Sequence, residues 1–465
     1  MIVPRSRLLV WIGVVVPPFA LLWAVEPATA AVATLAVGLF ALGVVADALL
    51  AHRRLAGVGV VLPEVVHLSK DRQGALELRI RNDRRKGQHL RVGLPFPREI
   101  SSPHEDQTVA LPAGTQWSRL AWPCTARRRG NYPLERAYLE ATSPCGFWAA
   151  RAAVVTRSEL RVYPNLLTER RNLAALFLNR GAFGVHAQRQ VGKGREFEKL
   201  REYVPGDSFD EIHWKATAKR GRPVTKVFQI ERTQEVYLVI DASRLSARLT
   251  AAPRSPKPMA ESSADAWQLE RGGWASGIPV LERFVTAALV LGLAAEQQGD
   301  LYGLLTFTDR VDRFVRAKGG QAHYRVCRDA LYTLQPKVAA PDFDEVCSFV
   351  RLRLRRRALL IFLTALDDPL LAESFARSVG LICRQHLVLV NMIQPSGVGP
   401  LFQDPNLSSL DEIYQRLGGH LRWQNLRELE KVLQRRGVRF TLVQNERMAA
   451  ELVSQYLSVK QRQLL

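Results

Sequence analysis

A carboxylate and a hydroxyl stand two residues apart at the end of an apolar run. Val236 to Ile240 reads VYLVI, and Asp241 and Ser243 follow it. A short uninterrupted apolar run predicts a buried strand, and the exits of such strands are where open α/β sheets present ligand-binding groups. Upstream, from Gly192 to Arg232, charges of both signs crowd together: GKGREFEKLREYVPGDSFDEIHWKATAKRGRPVTKVFQIER. Gly192-Lys193-Gly194-Arg195 has the residue types to cradle a phosphate. It lacks the spacing and the strand-to-helix setting of a P-loop, and reads as a flexible basic turn. Asp207, His213, Trp214 and Lys215 bring acid, base and aromatic groups together. No partner that would orient His213 is visible, so a structural role is expected of it. Trp214 is expected to anchor this module on the sheet that follows. No G-x-S-x-G, H-E-x-x-H or Cys/His nucleophile pattern is present.

The elements that must position these groups follow from hydrophobic rhythm. After Val236, apolar strands alternate with amphipathic helices: strands at 236–241, 303–307, 358–366, 386–393 and 438–443, with a hairpin partner at 312–317. Helices are expected at 280–298, 324–334, 343–354, 370–384 and 408–436, with a terminal helix from Glu446. This pattern predicts a parallel sheet covered on both faces, a doubly wound α/β domain over 233–465. Residues 247–277 are rich in Pro, Ser, Ala and Gly and read as a disordered surface insertion. The charged module, 166–232, is expected to hold a short helix near 173–178, a helical turn or irregular segment at 197–203, a VPGDS turn, a helix at 209–219 and a strand at 224–230. Between 56 and 165, short alternating runs such as ALELRIRN (75–82) and HLRVGLPF (89–96) are punctuated by Pro, Gly, Asn and Asp, which predicts a small β-sandwich.

Residues 1–55 differ in kind. Leu8–Val25 and Ala28–Ala46 carry no charge and are separated only by Glu26 and Pro27. Spanning a bilayer takes roughly 20 apolar residues, so the pair predicts a transmembrane helical hairpin. Pro17-Pro18 would kink the first span, which membrane helices tolerate. A cleaved signal peptide is disfavoured because a second apolar span follows at once. Arg5 and Arg7 precede the first span and His52, Arg53 and Arg54 follow the second, so both ends are expected in the cytoplasm. The formal net charge of the 465 residues is +21, a balance that favours anionic partners such as the inner leaflet. Clusters such as Arg84-Arg85-Lys86, Arg127-Arg128-Arg129 and Arg355-Arg356-Arg357 read as solvated faces. The five cysteines, Cys124, Cys145, Cys327, Cys347 and Cys383, form no C-x-x-C pair and read as reduced thiols.

The charged run then resembles the signature of the bacterial family known as domain of unknown function 58. The matching positions are Tyr203, Gly206, Asp207, Ile212, Trp214, Lys215, Thr217, Ala218, Glu231 and Arg232. Asp210 and Glu211 stand where that family often carries Arg. The turns at Arg129-Gly130 and Pro144-Cys145-Gly146 and the Val162-Tyr163-Pro164 run agree as well. The resemblance implies an N-terminal membrane hairpin, a β-rich segment and a C-terminal domain similar to a von Willebrand factor A domain. It also implies work with a MoxR-type AAA+ ATPase in complex assembly or envelope homeostasis at the bacterial inner membrane.

A von Willebrand A-like fold implies a possible Mg²⁺ site of the form Asp-x-Ser-x-Ser, with a Thr from a second loop and an Asp after a later strand; oxygen ligands and retained waters suit that ion. Asp241 and Ser243 fit the first two positions. Leu245 takes the third, with Ser246 one place late. The expected Thr loop reads Gly319-Gly320-Gln321, and Ala365 follows Thr364 where the acid belongs, with Asp367 and Asp368 beyond. These departures describe a degraded site, in which Asp241 and Ser243 cap the next segment or pair with the basic module. The favoured class is an interaction or scaffold protein on the membrane. An enzyme using the charged groups of 193–243, or a non-specific anion or nucleic-acid binder, are the alternatives. The pattern is silent on oligomeric state.

Overall fold

The fold is described from a computed structural model over residues 1–25, 30–167, 169, 191–205, 208–229, 234–251, 277–401 and 410–462. The chain divides into two compact units, Met1–Asn165 and Leu166–Leu465.

The first unit begins with β1 (Ile2–Pro4), α1 (Ser6–Val25) and α2 (Ala30–His52). Both helices are long and apolar enough to cross a membrane, and almost none of their surface is buried within the protein. Helices that are apolar all round and exposed suit lipid rather than a protein core. The hairpin expected between them forms, and it has the properties of a membrane anchor. The strands follow: β2 (Val58–Val61), β3 (Val65–Ser69), β4 (Gln73–Asn82), β5 (Gln88–Gly93), β6 (Ile100–Ser101), β7 (Asp106–Leu111), β8 (Trp117–Ala126), β9 (Gly130–Thr142) and β10 (Trp148–Tyr163). They make two sheets, β1-β10-β9-β5-β7 with β3 alongside β10, and β2-β4-β8-β6. Alternating residues of both sheets, among them Leu76, Leu78, Ile80, Leu90, Trp122 and Leu160, share one core. This is the two-sheet sandwich that the period-two pattern predicted.

Two ties join hairpin and sandwich. β1 pairs antiparallel with β10, Ile2 opposite Ala150 and Pro4 opposite Trp148. At the other end of the hairpin, Asp47 of α2 is buried. Its carboxylate accepts from Ser143 Oγ at 2.6 Å, Cys145 N at 3.0 Å and Phe147 N at 3.3 Å. The Trp148 indole N–H donates to the Val44 carbonyl at 3.0 Å.

The second unit opens with β11 (Val191–Glu202), α3 (Trp214–Arg220) and β12 (Val224–Gln229). β11 and β12 pair antiparallel. Two expectations are corrected here. Residues 197–203 lie mostly in a strand rather than a helical turn, because their backbone is taken up by the ladder to β12. Gly192 to Arg195 fall within the strand's bounds but outside its ladder, at a register irregularity where Val191 and Glu196 both pair with Gln229. The single helix expected over 209–219 is instead a 3-10 turn, Phe209–Glu211, and then α3. Extended Ile212, which bridges to Thr225, separates the two. The expected helix at 173–178 lies outside the described residues.

The α/β domain is built on β13 (Glu235–Asp241), β16 (Leu301–Phe307), β17 (Val311–Lys318), β18 (Leu359–Leu363), β19 (Leu387–Ile393) and β20 (Arg439–Val443). Between β13 and β16 lie β14 (Leu249–Ala251), β15 (Gly277–Pro279) and α4 (Val280–Gln297). The remaining helices are α5 (Gln321–Leu331), α6 (Phe343–Arg353), α7 (Pro369–Val379), α8 (Leu410–Arg435) and α9 (Met448–Gln461). The sheet order is β17-β16-β13-β18-β19-β20, parallel except for edge strand β17. Val236, Leu238 and Ile240 pack with α4, α5 and α9 on one face. Tyr237 and Val239 pack with α6, α7 and α8 on the other. Strands buried on both faces read as unbroken apolar runs, which is why the doubly wound fold was legible. Most of the insertion expected at 247–277 lies outside the described residues; its ends are clasped as β14 and β15.

Candidate functional site

The order reverses next to β13: α4 and the strands β16 and β17 lie to one side, β18 to β20 to the other. Asp241 therefore ends the strand at the switch point, where such sheets present ligand groups. The structure buries it. Asp241 is 1% exposed and Ser243 0%. Asp241 Oδ1 accepts from the Ser243 backbone N–H at 2.8 Å, and Oδ2 accepts from Thr364 Oγ at 2.7 Å. Burial pushes the Asp241 acid upward, and the bonds from Ser243 and Thr364 only partly offset this. Ser243 caps the 3-10 turn Arg244–Ala247, accepting from Leu245 N at 3.4 Å. The capping role expected for Ser243 is what the structure shows. Asp241 instead joins β13 to the end of β18.

The loop facing this edge is 337–342. Lys337 N donates to the Ala242 carbonyl at 2.8 Å, Arg244 N to the Ala339 carbonyl at 3.0 Å, and Asp342 N to the Thr308 carbonyl at 3.0 Å. This corrects the expectation that Gly319-Gly320-Gln321 would face Asp241. Lys318 pairs with Tyr302 at the start of β16, so that loop lies at the opposite end of the strands. Ala339, whose carbonyl meets Arg244 N at this edge, carries no hydroxyl. Asp367, beyond Ala365, pairs with Arg248 at 2.5 Å. A hard divalent cation needs several oxygens with free lone pairs and net negative charge. Here one buried carboxylate already accepts on both oxygens, and Leu245 replaces the third ligand. Among the described residues no group of three or more His, Cys, Asp or Glu is arranged for a metal. The residues do not fit Mg²⁺.

The charged module is organised by local hydrogen bonds. His213 is the N-cap of α3: its Nδ1 accepts from Ala216 N at 3.1 Å, filling the orphan donor of the first turn. Its backbone N–H donates to the Val224 carbonyl at 2.8 Å. Thr217 Oγ donates to the His213 carbonyl and accepts from Val224 N, both at 3.1 Å. Gly221, with φ of +66°, ends the helix in the left-handed conformation that glycine favours. Ile212 is buried beside Val224 and Thr225. Tyr203 stacks on Phe209 with centroids 6.0 Å apart. Lys215 is exposed. Gly206, Asp207, Glu231 and Arg232 lie outside the described residues. Trp214 is not a packing anchor: it is 69% exposed, and Phe209 is 73% exposed. The first residue of a seven-residue helix held by its opposite face must point outward, and the sequence pattern could not tell which face that was.

Thr364 was missed as a functional partner; the signal was a hydroxyl at the end of the next buried strand. The 337–342 loop carried no signal, since its approach depends on strand order. Among the described residues, the Asp241 carboxylate has no hydrogen-bond partner beyond Ser243 and Thr364.

No curated protein matches the sequence. Solved structures similar to part of it include an aerotolerance-related membrane protein of Bacteroides fragilis, 12% identical, with 48% of this chain and 97% of that one covered at a TM-score of 0.27. A conserved hypothetical protein BatB of Bacteroides thetaiotaomicron is 15% identical, with 48% and 97% covered at 0.28. The SpRpn10 VWA domain is 9% identical, with 48% and 95% covered at 0.26. At those scores the fold rests on the sheet order itself. The family model described as "Protein of unknown function DUF58" matches residues 199–262 and 279–398. The match takes in the later part of the charged module, including the Ile212-x-Trp214 signature, and the α/β domain as far as Val398.

Proposed function

We propose that this protein is a membrane-anchored interaction scaffold, with its soluble units in the bacterial cytoplasm and a MoxR-type AAA+ ATPase as partner. The partner comes from the family resemblance of the sequence. The observation that carries the scaffold reading is the exposure of two large aromatics, Phe209 and Trp214, on the signature module. Exposed Trp and Phe on a capped segment are residue types enriched at protein interfaces, and Leu167 and Val204 of the module are exposed as well. Asp241 and Ser243 are too buried to touch a partner, so the docking surface moves from the sheet edge to the module. The test is co-purification of the ATPase with the full-length chain from membranes. The double variant Phe209→Ala, Trp214→Ala is expected to lose at least about tenfold of the captured ATPase, the scale of one interface hot spot. Undiminished capture by that variant would overturn the reading. ATP- or metal-dependent turnover by the purified chain, abolished by Asp241→Ala, would favour the enzyme alternative instead.

A further inference from the structure

The opposite end of the α/β sheet carries a second, unassigned feature. A cavity of about 320 Å³ opens at the N-terminal ends of the parallel strands, lined by Glu235, Tyr237, Arg316, Arg353, Arg355 and Arg356. Four guanidinium groups there face one carboxylate. Arg356 is the cation that approaches Glu235, at 4.0 Å. Arg353 lies over the Phe349 ring at 5.7 Å. Among the described residues, Arg316 and Arg355 have no acidic partner within ion-pair distance.

The walls are held in place before any ligand arrives. Leu354 N donates to the Val350 carbonyl at 2.9 Å, and the Leu354 and Arg355 carbonyls accept from Gln385 Nε2 at 3.1 and 2.8 Å. That fixes the backbone carrying Arg355 and Arg356. Tyr237 OH accepts from Ala317 N at 3.2 Å and donates to Glu235 at 3.4 Å. Its ring occupies the space above Gly303, where a Cβ would come within 2.4 Å of it. Arginines on three separate elements, β17, the end of α6 and the loop before β18, thus converge on a preformed concavity.

An excess of positive charge in a concave, braced setting suits a compact polyanion. Guanidinium groups bind phosphate oxygens in bidentate fashion, and a cavity this small matches a single head group rather than a large ligand. We propose that this pocket binds a phosphate group, Arg316, Arg353 and Arg355 donating to its oxygens while Glu235 keeps Arg356 and Tyr237 in position. The site lies at the end of the sheet remote from Asp241, and the proposal does not depend on the scaffold reading.

The test uses the detergent-solubilised full-length chain, titrated with inorganic phosphate and, separately, with a short-chain phosphatidylglycerol below its micelle concentration. Saturable binding of either probe is expected to weaken on the order of tenfold or more in Arg316→Gln, Arg355→Gln, since each charge-assisted bond contributes roughly that factor. The net-charge control Arg84→Gln, Arg85→Gln is expected to bind as the parent does. Binding of phosphate alone assigns a free anion, and binding of the lipid alone assigns a head group. The proposal is overturned if neither probe saturates, or if the control weakens as much as the pocket variant.

Discussion

At the scale of single residues, Asp241 behaves as a buried strut. Its folded-state pKa is raised by burial, so between the ordinary carboxylate range and the raised value the folded chain holds a proton that the unfolded chain has lost. Stability contributed by the neutral form is therefore present at acid pH and declines as pH rises through that window. Asp241→Asn keeps an acceptor for Ser243 N and lets Thr364 reverse its hydroxyl, without an ionisable group. Its melting temperature relative to the parent is expected to improve as pH rises above the ordinary carboxylate range. Asp241→Ala leaves both donors unmatched and should cost about 2 kcal/mol or more throughout. Thermal unfolding of the three proteins with and without EDTA checks this. A difference between Asn and parent that ignores pH, or a parent that melts lower in EDTA, would contradict the account.

At the scale of elements, the junction of α2 with the sandwich turns on Asp47. Three donors of the 143–147 loop converge on one carboxylate, and the Pro144-Cys145-Gly146 turn makes the convergence possible, with Gly146 at φ +81°. The exposed Cys145 reports on it, because the Asp47 charge holds its thiol above the usual range. Asp47→Asn is expected to speed maleimide labelling of Cys145 near pH 8 by lowering that pKa. Asp47→Ala should in addition loosen the loop, at a cost on the order of 3 kcal/mol for donors left in a buried setting. Cys124, Cys327 and Cys347 are buried, and burial pushes the Cys383 thiol up to about 11, so Cys145 labels first. An unchanged labelling rate in Asp47→Asn would show that the carboxylate does not govern the loop.

At the scale of the whole chain, the ladder between β1 and β10 decides topology. Residues before α1 and residues after α2 share one sheet, so both ends of the hairpin emerge on the same side of a membrane. It also makes Ile2–Pro4 an edge of the sandwich. In the orientation proposed above, Arg5, Arg7, His52, Arg53 and Arg54 flank the spans on the cytoplasmic side. Cys124, a natural choice of reporter from sequence, is buried and unsuitable; Cys145 is the usable one. In intact spheroplasts a membrane-impermeant maleimide is expected to leave Cys145 unlabelled until the membrane is permeabilised. Labelling before permeabilisation would reverse the orientation.

The sequence by itself determined what depends on period and composition. The two membrane spans, the alternating strands of the sandwich and the doubly buried strands of the α/β sheet each carry a local signature, because burial on one face, both faces or all round dictates a pattern along the chain. The Ile212-x-Trp214 run likewise carried the family resemblance in contiguous residues, and the family model matches across it. Only the tertiary structure decided which groups meet. Thr364 reaches Asp241 because β18 lies beside β13, and the 337–342 loop faces them because α5 returns the chain from the far end of the sheet. Arg316, Arg353 and Arg355 share a cavity although strand, helix end and loop are separate in sequence. Such convergence is set by strand order and crossover direction, which no residue encodes locally: the degraded metal site was already legible at Leu245 and Ala365, and the fold added the Thr364 contact that makes Asp241 a strut.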